Sequence, residues 1–388
     1  MESSIFNSIK KKLDKFSSQV EWVLPVAKTM AKTLAEDQWS RVKKSTLGKS
    51  VLVYSLGRSI HFAAQQLSLP LVERVFLGRG RDFDSQRLRQ MQEAYADLFA
   101  LLKKDSKNIE EGIYPLQVLE PEPLLEHYPR IARIFRDAFK VSDRRFEKVS
   151  HDFSEREKKY FHEVPEYATR NYHFQTGGYF NPESAEIYDH QVEILFSGAA
   201  DAMRRLILPL VKKQIPGNGE GLKFLEIAAG TGRLSRMIKL TFPEATLTVS
   251  DMSHPYLNQA KKALSSFDRT EFVRANAENL PFPEGSFDFV VSCFLFHEVP
   301  LKAREQIFLE GWRLLKPGGL YGIVDSIQHI DTEKFSWALE SFPVDFHEPF
   351  YTAYVKNPLE ESLSTAGFEL LDRELGFFSK ALLARKPF

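Results

Sequence analysis

The chain has 388 residues, a length that suits about two or three domains, and it balances 52 Lys and Arg against 52 Asp and Glu. A net charge of zero gives no reason to expect a polyanionic partner, so nucleic acid is set aside. The single cysteine, Cys293, excludes disulfides within the chain and fits a reducing, cytoplasmic compartment. The opening stretch MESSIFNSIKKKLDKF has no long apolar segment, so no signal peptide is expected. No uninterrupted apolar run reaches the roughly 18 residues of a membrane span.

Residues 1 to 160 read mainly as helix and are expected to form an accessory domain. Ile5, Ile9, Leu13, Phe16, Val20 and Val23 recur at helical spacing. A second helix is predicted over Ser85–Lys104, with Leu88, Met91, Tyr95, Leu98 and Leu102 on one face, and a third over Pro123–Phe139. Breaks are predicted at 78 to 84 and at 112 to 123. Residues 1 to 60 carry 11 Lys and Arg against 5 Asp and Glu. A basic amphipathic helix can lie on anionic lipid, but a solvated helix face explains the same pattern and is preferred. Residues 161 to 220 read as a linker and helices, with a helical pattern from Pro182 to Lys213.

From residue 221 the chain alternates. Strands are predicted at 223–227, 245–251, 270–276, 287–294 and 320–326, each pair separated by a segment able to form a helix. Such alternation predicts a parallel sheet covered on both faces. The last two strands, 368–376 and 380–387, are close enough for a hairpin, with one antiparallel to the rest.

The first strand runs into LEIAAGTGRLSRMIK, residues 225 to 239: an acid, Glu226, then Ala228, Gly230 and Gly232 at every second position. Small residues in a strand-to-helix turn let a ligand approach the backbone N–H groups. Gly230 and Gly232 match two glycines of a dinucleotide fingerprint, but Ser235 stands where the third would be. The pattern of an acid, a small residue and two glycines resembles motif I of class I S-adenosylmethionine-dependent methyltransferases, in the small-molecule branch that includes quinone-ring methyltransferases. Later segments agree: Asp251 ends the second strand, ANAENLPFPEGSFD spans 275 to 288, and RLLKPGGL spans 313 to 320. The resemblance covers about residues 180 to 388.

That resemblance implies a Rossmann-like α/β fold: a seven-stranded, mostly parallel sheet with an antiparallel last strand, preceded by the helical domain. It implies S-adenosyl-L-methionine as cofactor, bound by Glu226, Ala228, Gly230, Gly232, Asp251, Met252, Asn276, Ala277 and Ser292. In the family an acid at the Asp251 position takes the ribose hydroxyls, and the Asn276–Ala277 positions meet the adenine. Tyr188 falls on a helix that covers the cofactor in relatives, where its ring can face the sulfonium; packing under the sheet is the other reading. Pro317-Gly318-Gly319 is read as a turn without chemistry.

The acceptor class is narrowed by absences. Ser292-Cys293-Phe294-Leu295 is not the Asp/Asn-Pro-Pro-Tyr of enzymes that methylate amines of nucleic acids, and no Pro-Cys pair offers a cytosine-C5 nucleophile. No His/Cys/Asp spacing suggests a metal. A small aromatic, quinone-like or lipid-like acceptor is therefore expected. His297, after the fourth strand, and His347, after the fifth, are the candidate proton acceptors, with Glu298 as orienter of His297. Helix capping or loop packing explains either histidine equally. The helical N-terminal half is expected to cover the acceptor side and keep water out. A non-catalytic scaffold and a nicotinamide-dependent oxidoreductase stand as the other function classes.

Overall fold

The computed structural model describes residues 46–77, 85–119 and 124–388. The helix expected over Ile5–Val23 and the break at 78 to 84 lie outside the described residues. Helices α1 (Thr46–Leu77), α2 (Ser85–Glu110) and α3 (Leu124–Glu147) fill the described N-terminal part. Among the described residues no helix is long and apolar enough to cross a membrane. Buried positions in α1 recur at helical spacing through Val51, Leu52, Ser55, Ser59, Phe62 and Ala63. On α2, of the predicted face, Leu98 and Leu102 are buried and Tyr95 is packed against the core.

The helical pattern from Pro182 to Lys213 resolves into three helices: α4 (Pro182–Leu195), α5 (Ala200–Arg204) and α6 (Ile207–Gln214). The break has a local cause. Ser197 and Gly198 both adopt positive φ, and α1 approaches so closely that a Cβ on Gly198 would sit 3.1 Å from the Ser59 Cα. Only a residue without a side chain fits both conditions.

The sheet follows: β1 (Lys223–Ile227), α7 (Arg233–Thr241), β2 (Thr246–Asp251), α8 (His254–Ala263), β3 (Thr270–Arg274), β4 (Phe287–Cys293), α9 (Leu301–Leu314) and β5 (Leu315–Ser326). After β5 come α10 (Ser336–Asp345), α11 (Tyr351–Lys356), α12 (Leu359–Thr365), β6 (Glu369–Gly376) and β7 (Ser379–Arg385). The strand order is β3-β2-β1-β4-β5-β7-β6, with β7 antiparallel to both neighbours and the other pairs parallel. This is the Rossmann-like sheet expected. The order reverses between β1 and β4, and ligands bind outside the carboxyl ends of the strands at such a switch point. One strand differs from expectation. β5 begins at Leu315, so Pro317-Gly318-Gly319 is part of the strand, where the register shifts and Gly318 takes φ +77.

The apolar core is continuous from α1 and α2 into the sheet, joining Val51, Leu98 and Tyr114 to Phe224 and Val290. A buried ion pair seals this junction. Arg205 donates to Asp105 in a bidentate contact at 2.8 and 2.6 Å, and the Tyr114 hydroxyl donates to the same carboxylate at 2.6 Å. Burial raises the Tyr114 hydroxyl well above its ordinary pKa, so it stays a donor. Replacing Asp105 with Ala would strand a buried guanidinium. The Asp105→Ala variant is expected to lose about 3–5 kcal/mol of stability in urea denaturation, whereas a loss below about 1 kcal/mol, the range of a surface pair, would show that this junction does not hold the two parts together.

Candidate functional site

The turn after β1 follows from its residues. Ala228, Gly230 and Gly232 have φ of +50, +58 and +79. The two glycines serve different purposes. A Cβ on Gly230 would meet nothing nearer than Tyr256 Cδ1 at 3.9 Å, so its space belongs to the cleft. A Cβ on Gly232 would lie 3.0 Å from the Ala260 Cβ, so this glycine lets α7 pack against α8. Ala228 bears the strain that glycine would avoid, about 1–2 kcal/mol.

Two acids stand at the strand ends. Asp251, closing β2, accepts Gly230 N–H at 2.8 Å and Ser253 N–H at 2.7 Å. Burial pushes its pKa up to about 6, opposed by those two backbone bonds. Glu226, in β1, is 1% exposed and accepts the Ser235 hydroxyl. Burial pushes it up to about 8, against the pull of the Ser235 bond and Arg204. Both acids therefore carry protons over part of the neutral range in the free protein.

Above these acids lies a cleft enclosing about 870 Å3, part of it open to solvent. Five tyrosines line it: Tyr167, Tyr172, Tyr179, Tyr188 and Tyr256. Tyr188 meets the Tyr256 ring edge-on at 5.1 Å, and Tyr179 meets both. Helix α4 is anchored to the turn below it, since Thr231 donates to Asp189 at 2.6 Å. Three of the tyrosines come from the segment 161–181, which lies across the cleft. That strap is clamped by Arg144, which donates to Phe174 O at 2.8 Å, and by Gln175, which donates to the Tyr256 hydroxyl at 2.7 Å. The strap, rather than the N-terminal helices themselves, supplies the walls of the cleft.

In the turn after β4, His297 is buried, outside the residues that line the cleft, and its Nδ1 lies 2.6 Å from Asp325, not toward Glu298. Burial lowers its pKa, and Asp325 outweighs this, so the net shift is upward. Neighbouring side chains in the short turn diverge: Glu298 faces the cleft and accepts from Tyr179, with His297 Nε2 3.9 Å away. Asp325 thus has the orienting part expected of Glu298. His347 packs against Phe174 at 5.4 Å, and burial lowers its pKa. It is not among the residues lining the cleft.

The structure therefore brings Tyr188, Glu226, Ala228, Gly230, Asp251 and Met252 to one cleft. Gly232 supports it from behind. Asn276 turns inward, accepting Glu278 N–H at 3.1 Å, while Ala277 is buried beside it, and neither lines the cleft. Ser292 is fully buried within the sheet; Cys293 and Phe294 line the cleft instead. Sequence reasoning missed Tyr167, Tyr172, Tyr179 and Tyr256. For the first three the one signal was the density of aromatics between Tyr160 and Phe180; Tyr256, on α8, had none.

Known proteins agree with this geometry. Residues 224–319 match the family described as a methyltransferase domain. The ubiquinone/menaquinone biosynthesis C-methyltransferase of Bartonella bacilliformis is 34% identical over 35% of this chain and 52% of its own length. The demethylmenaquinone methyltransferase of Thermotoga maritima is 31% identical over 43% of this chain and 68% of its own. The chain belongs to the class I S-adenosylmethionine-dependent methyltransferases, in their quinone-methyltransferase-like branch. A malonyl-[acyl-carrier protein] O-methyltransferase of Geobacter sulfurreducens is 27% identical over 45% of this chain and 68% of its own length, so similarity extends beyond quinone enzymes. The chain spans about half the length of the Bartonella protein. S-adenosylmethionine is the cofactor of this family. The cleft fits it on its own terms: an open Cβ position at Gly230, two buried acids for hydroxyl or ammonium groups, and aromatic faces for a sulfonium worth about 0.5–2 kcal/mol.

Two outcomes follow from this geometry. In Gly230→Leu the side chain enters the cleft, while φ strain costs about 1–2 kcal/mol. Cofactor binding is expected to vanish in calorimetry with the far-UV spectrum unchanged; unaltered affinity would remove the turn from the site. Secondly, a cationic cofactor favours ionised Glu226 and Asp251. Because both free-state pKa values are raised, to about 8 and about 6, binding near pH 7 should release protons, and affinity should fall as pH drops through these values. Binding enthalpy should therefore differ between phosphate and Tris buffers. Equal enthalpies would mean that Glu226 keeps its proton in the complex.

Proposed function

We propose that this protein transfers the methyl group of S-adenosylmethionine to a small organic acceptor, aromatic, quinone-like or lipid-like. The observation that carries this reading is the tyrosine-lined cleft beside two buried acids at the switch point of the sheet. The cofactor supplies an electrophilic methyl group, so the protein need not furnish a nucleophile. The residues of this chain align the reactants and exclude water, an entropic advantage that reaches several kcal/mol.

Each part of the cleft has a task in this reading. Asp251 accepts hydrogen bonds from the ribose hydroxyls through lone pairs left over from its two backbone bonds. Tyr188 and its aromatic neighbours surround the sulfonium. The strap from 161 to 181 closes the cleft against solvent, and α3 fixes the strap through Arg144. Beyond the tyrosines, Phe180 and Phe294 also line the cleft, so its wall is largely aromatic. Such a wall suits a flat or extended apolar acceptor better than a highly charged one. The quinone-type names of the relatives point the same way.

His297 is proposed as the proton acceptor for an acceptor hydroxyl or carbon acid. With Nδ1–H donated to Asp325, the free lone pair lies on Nε2, the nitrogen nearer the cleft-lining Glu298. The test begins with metabolite profiling of a strain lacking the gene, seeking compounds that have lost one methylene. With that acceptor in hand, His297→Asn should reduce kcat by about 100-fold or more, the span of general base catalysis, and leave cofactor affinity within about twofold. Reduced cofactor affinity at unchanged kcat would instead make His297 a binding residue. No acceptor-dependent formation of S-adenosylhomocysteine from any compound so found would overturn the methyl-transfer reading.

A further inference from the structure

Three residues distant in sequence meet on the acceptor side of the cleft. His173 comes from the strap, Glu298 from the turn after β4, and Glu348 from the loop between α10 and α11. One ligand atom from each lies within 4.8 Å of the other two. His173 Nε2 stands 3.2 Å from Glu298 Oε1 and 3.2 Å from Glu348 Oε1. A divalent ion bonded at about 2.0–2.2 Å to nitrogen and oxygen holds adjacent ligands roughly 3.0–3.5 Å apart, whether octahedral or tetrahedral. The two measured separations fall in that interval.

Independent observations say that something is meant to fill the space. Glu348 is 1% exposed, and neither of its carboxylate oxygens has a hydrogen-bond partner. A buried carboxylate normally has its lone pairs satisfied or is paired with a cation. Among the described residues, no Lys or Arg forms an ion pair with Glu298 or Glu348. In addition, His173 has φ +55 and ψ +19, and Phe174 after it has φ +54. Two successive non-glycine residues in this region are strained. The conformation is enforced by the Arg144 bond to Phe174 O and the Asn171 bond to Gln175 O at 2.9 Å. It directs the imidazole at the two carboxylates.

We propose that His173, Glu298 and Glu348 bind one divalent transition-metal cation, zinc or manganese in type, at the acceptor end of the cleft. One imidazole and two carboxylates form the mixed nitrogen and oxygen donor set that such ions accept. The double positive charge balances the two carboxylates, which lie on either side of the His173 imidazole. Three protein ligands leave coordination positions open. Glu298 lines the cleft, so an oxygen of the acceptor can take one of those positions. This last role rests on the methyl-transfer reading; metal binding itself does not.

The experiment uses the full chain, stripped with chelator and without cofactor. Manganese(II) uptake is followed by electron paramagnetic resonance and zinc(II) uptake by calorimetry. One ion per chain is expected. Glu348→Gln and His173→Asn should each weaken binding at least tenfold, and saturating metal should raise the thermal midpoint of the wild type more than that of either variant. S-adenosylmethionine affinity, measured separately on the same metal-free proteins, reports whether the variants remain folded around the cleft. Uptake of less than one ion by the wild type, or equal uptake by wild type and Glu348→Gln, overturns the site and leaves a cluster that shares protons. Metal binding intact with no cofactor binding would overturn the methyl-transfer reading and leave the metal site standing.

Discussion

The carboxylate of Asp251 connects the two turns on which the site is built. One oxygen accepts from Gly230, in the turn after β1; the other accepts from Ser253, in the turn after β2. A single buried side chain therefore fixes the relative height of two strand ends. The parallel pairing of β1 and β2 sets the same offset from below, with Glu226 opposite Val249. The cleft owes its depth to this arrangement, because the β1 turn is held down toward β2. Raising Asp251 to a pKa of about 6 is the electrostatic cost of placing a carboxylate there.

Burial acts on the charged groups of this protein in opposite directions, depending on their partners. Asp201 is buried too, yet Arg233 and Arg204 surround it and hold its pKa well below the ordinary range. It thereby fastens α5 to the first turn of α7. Glu226 and Asp251 have no bonded guanidinium and are shifted up. Asp201, which fastens two helices, stays charged; Glu226 and Asp251, which face the cleft, are left ready to take up charge. That contrast separates structure from site without reference to any relative.

Much of this was legible in the sequence because the information was local. The strands at 223–227, 287–294 and 368–376 follow from apolar runs bounded by turns, and the structure has β1 at Lys223–Ile227, β4 at Phe287–Cys293 and β6 at Glu369–Gly376. The role of Gly230 follows from its place after an acid. What was not legible depends on distant approach. The break at Ser197-Gly198 carries a local turn signal, but the close approach of α1 to it is not written in residues 182 to 213. The orienter of His297 is Asp325, which pairing of β4 with β5 brings alongside; adjacency suggested Glu298, whose side chain diverges. The reading of Pro317-Gly318-Gly319 as a turn failed because positive φ at Gly318 can be absorbed as an irregularity inside a strand.

The strap between 161 and 181 shows how the helical N-terminal part bears on chemistry without touching a ligand. Its backbone is not regular: it contains four short 3-10 turns and consecutive positive φ values at His173 and Phe174. Such a segment would relax if left alone, since strained dihedrals persist only where surroundings over-determine them. Here the surroundings are Arg144 on α3, Asp152 beside Asn171, and Tyr256 on α8. α3 in turn packs on α4, and α4 is tied to the Gly-rich turn through Asp189 and Thr231. The path from an N-terminal helix to the imidazole of His173 is therefore one of short, directed bonds. The match to the methyltransferase domain begins only at Phe224, so this frame lies outside the matched segment. What the helices before it add is a frame that holds the aromatic rings and His173 of the strap in place.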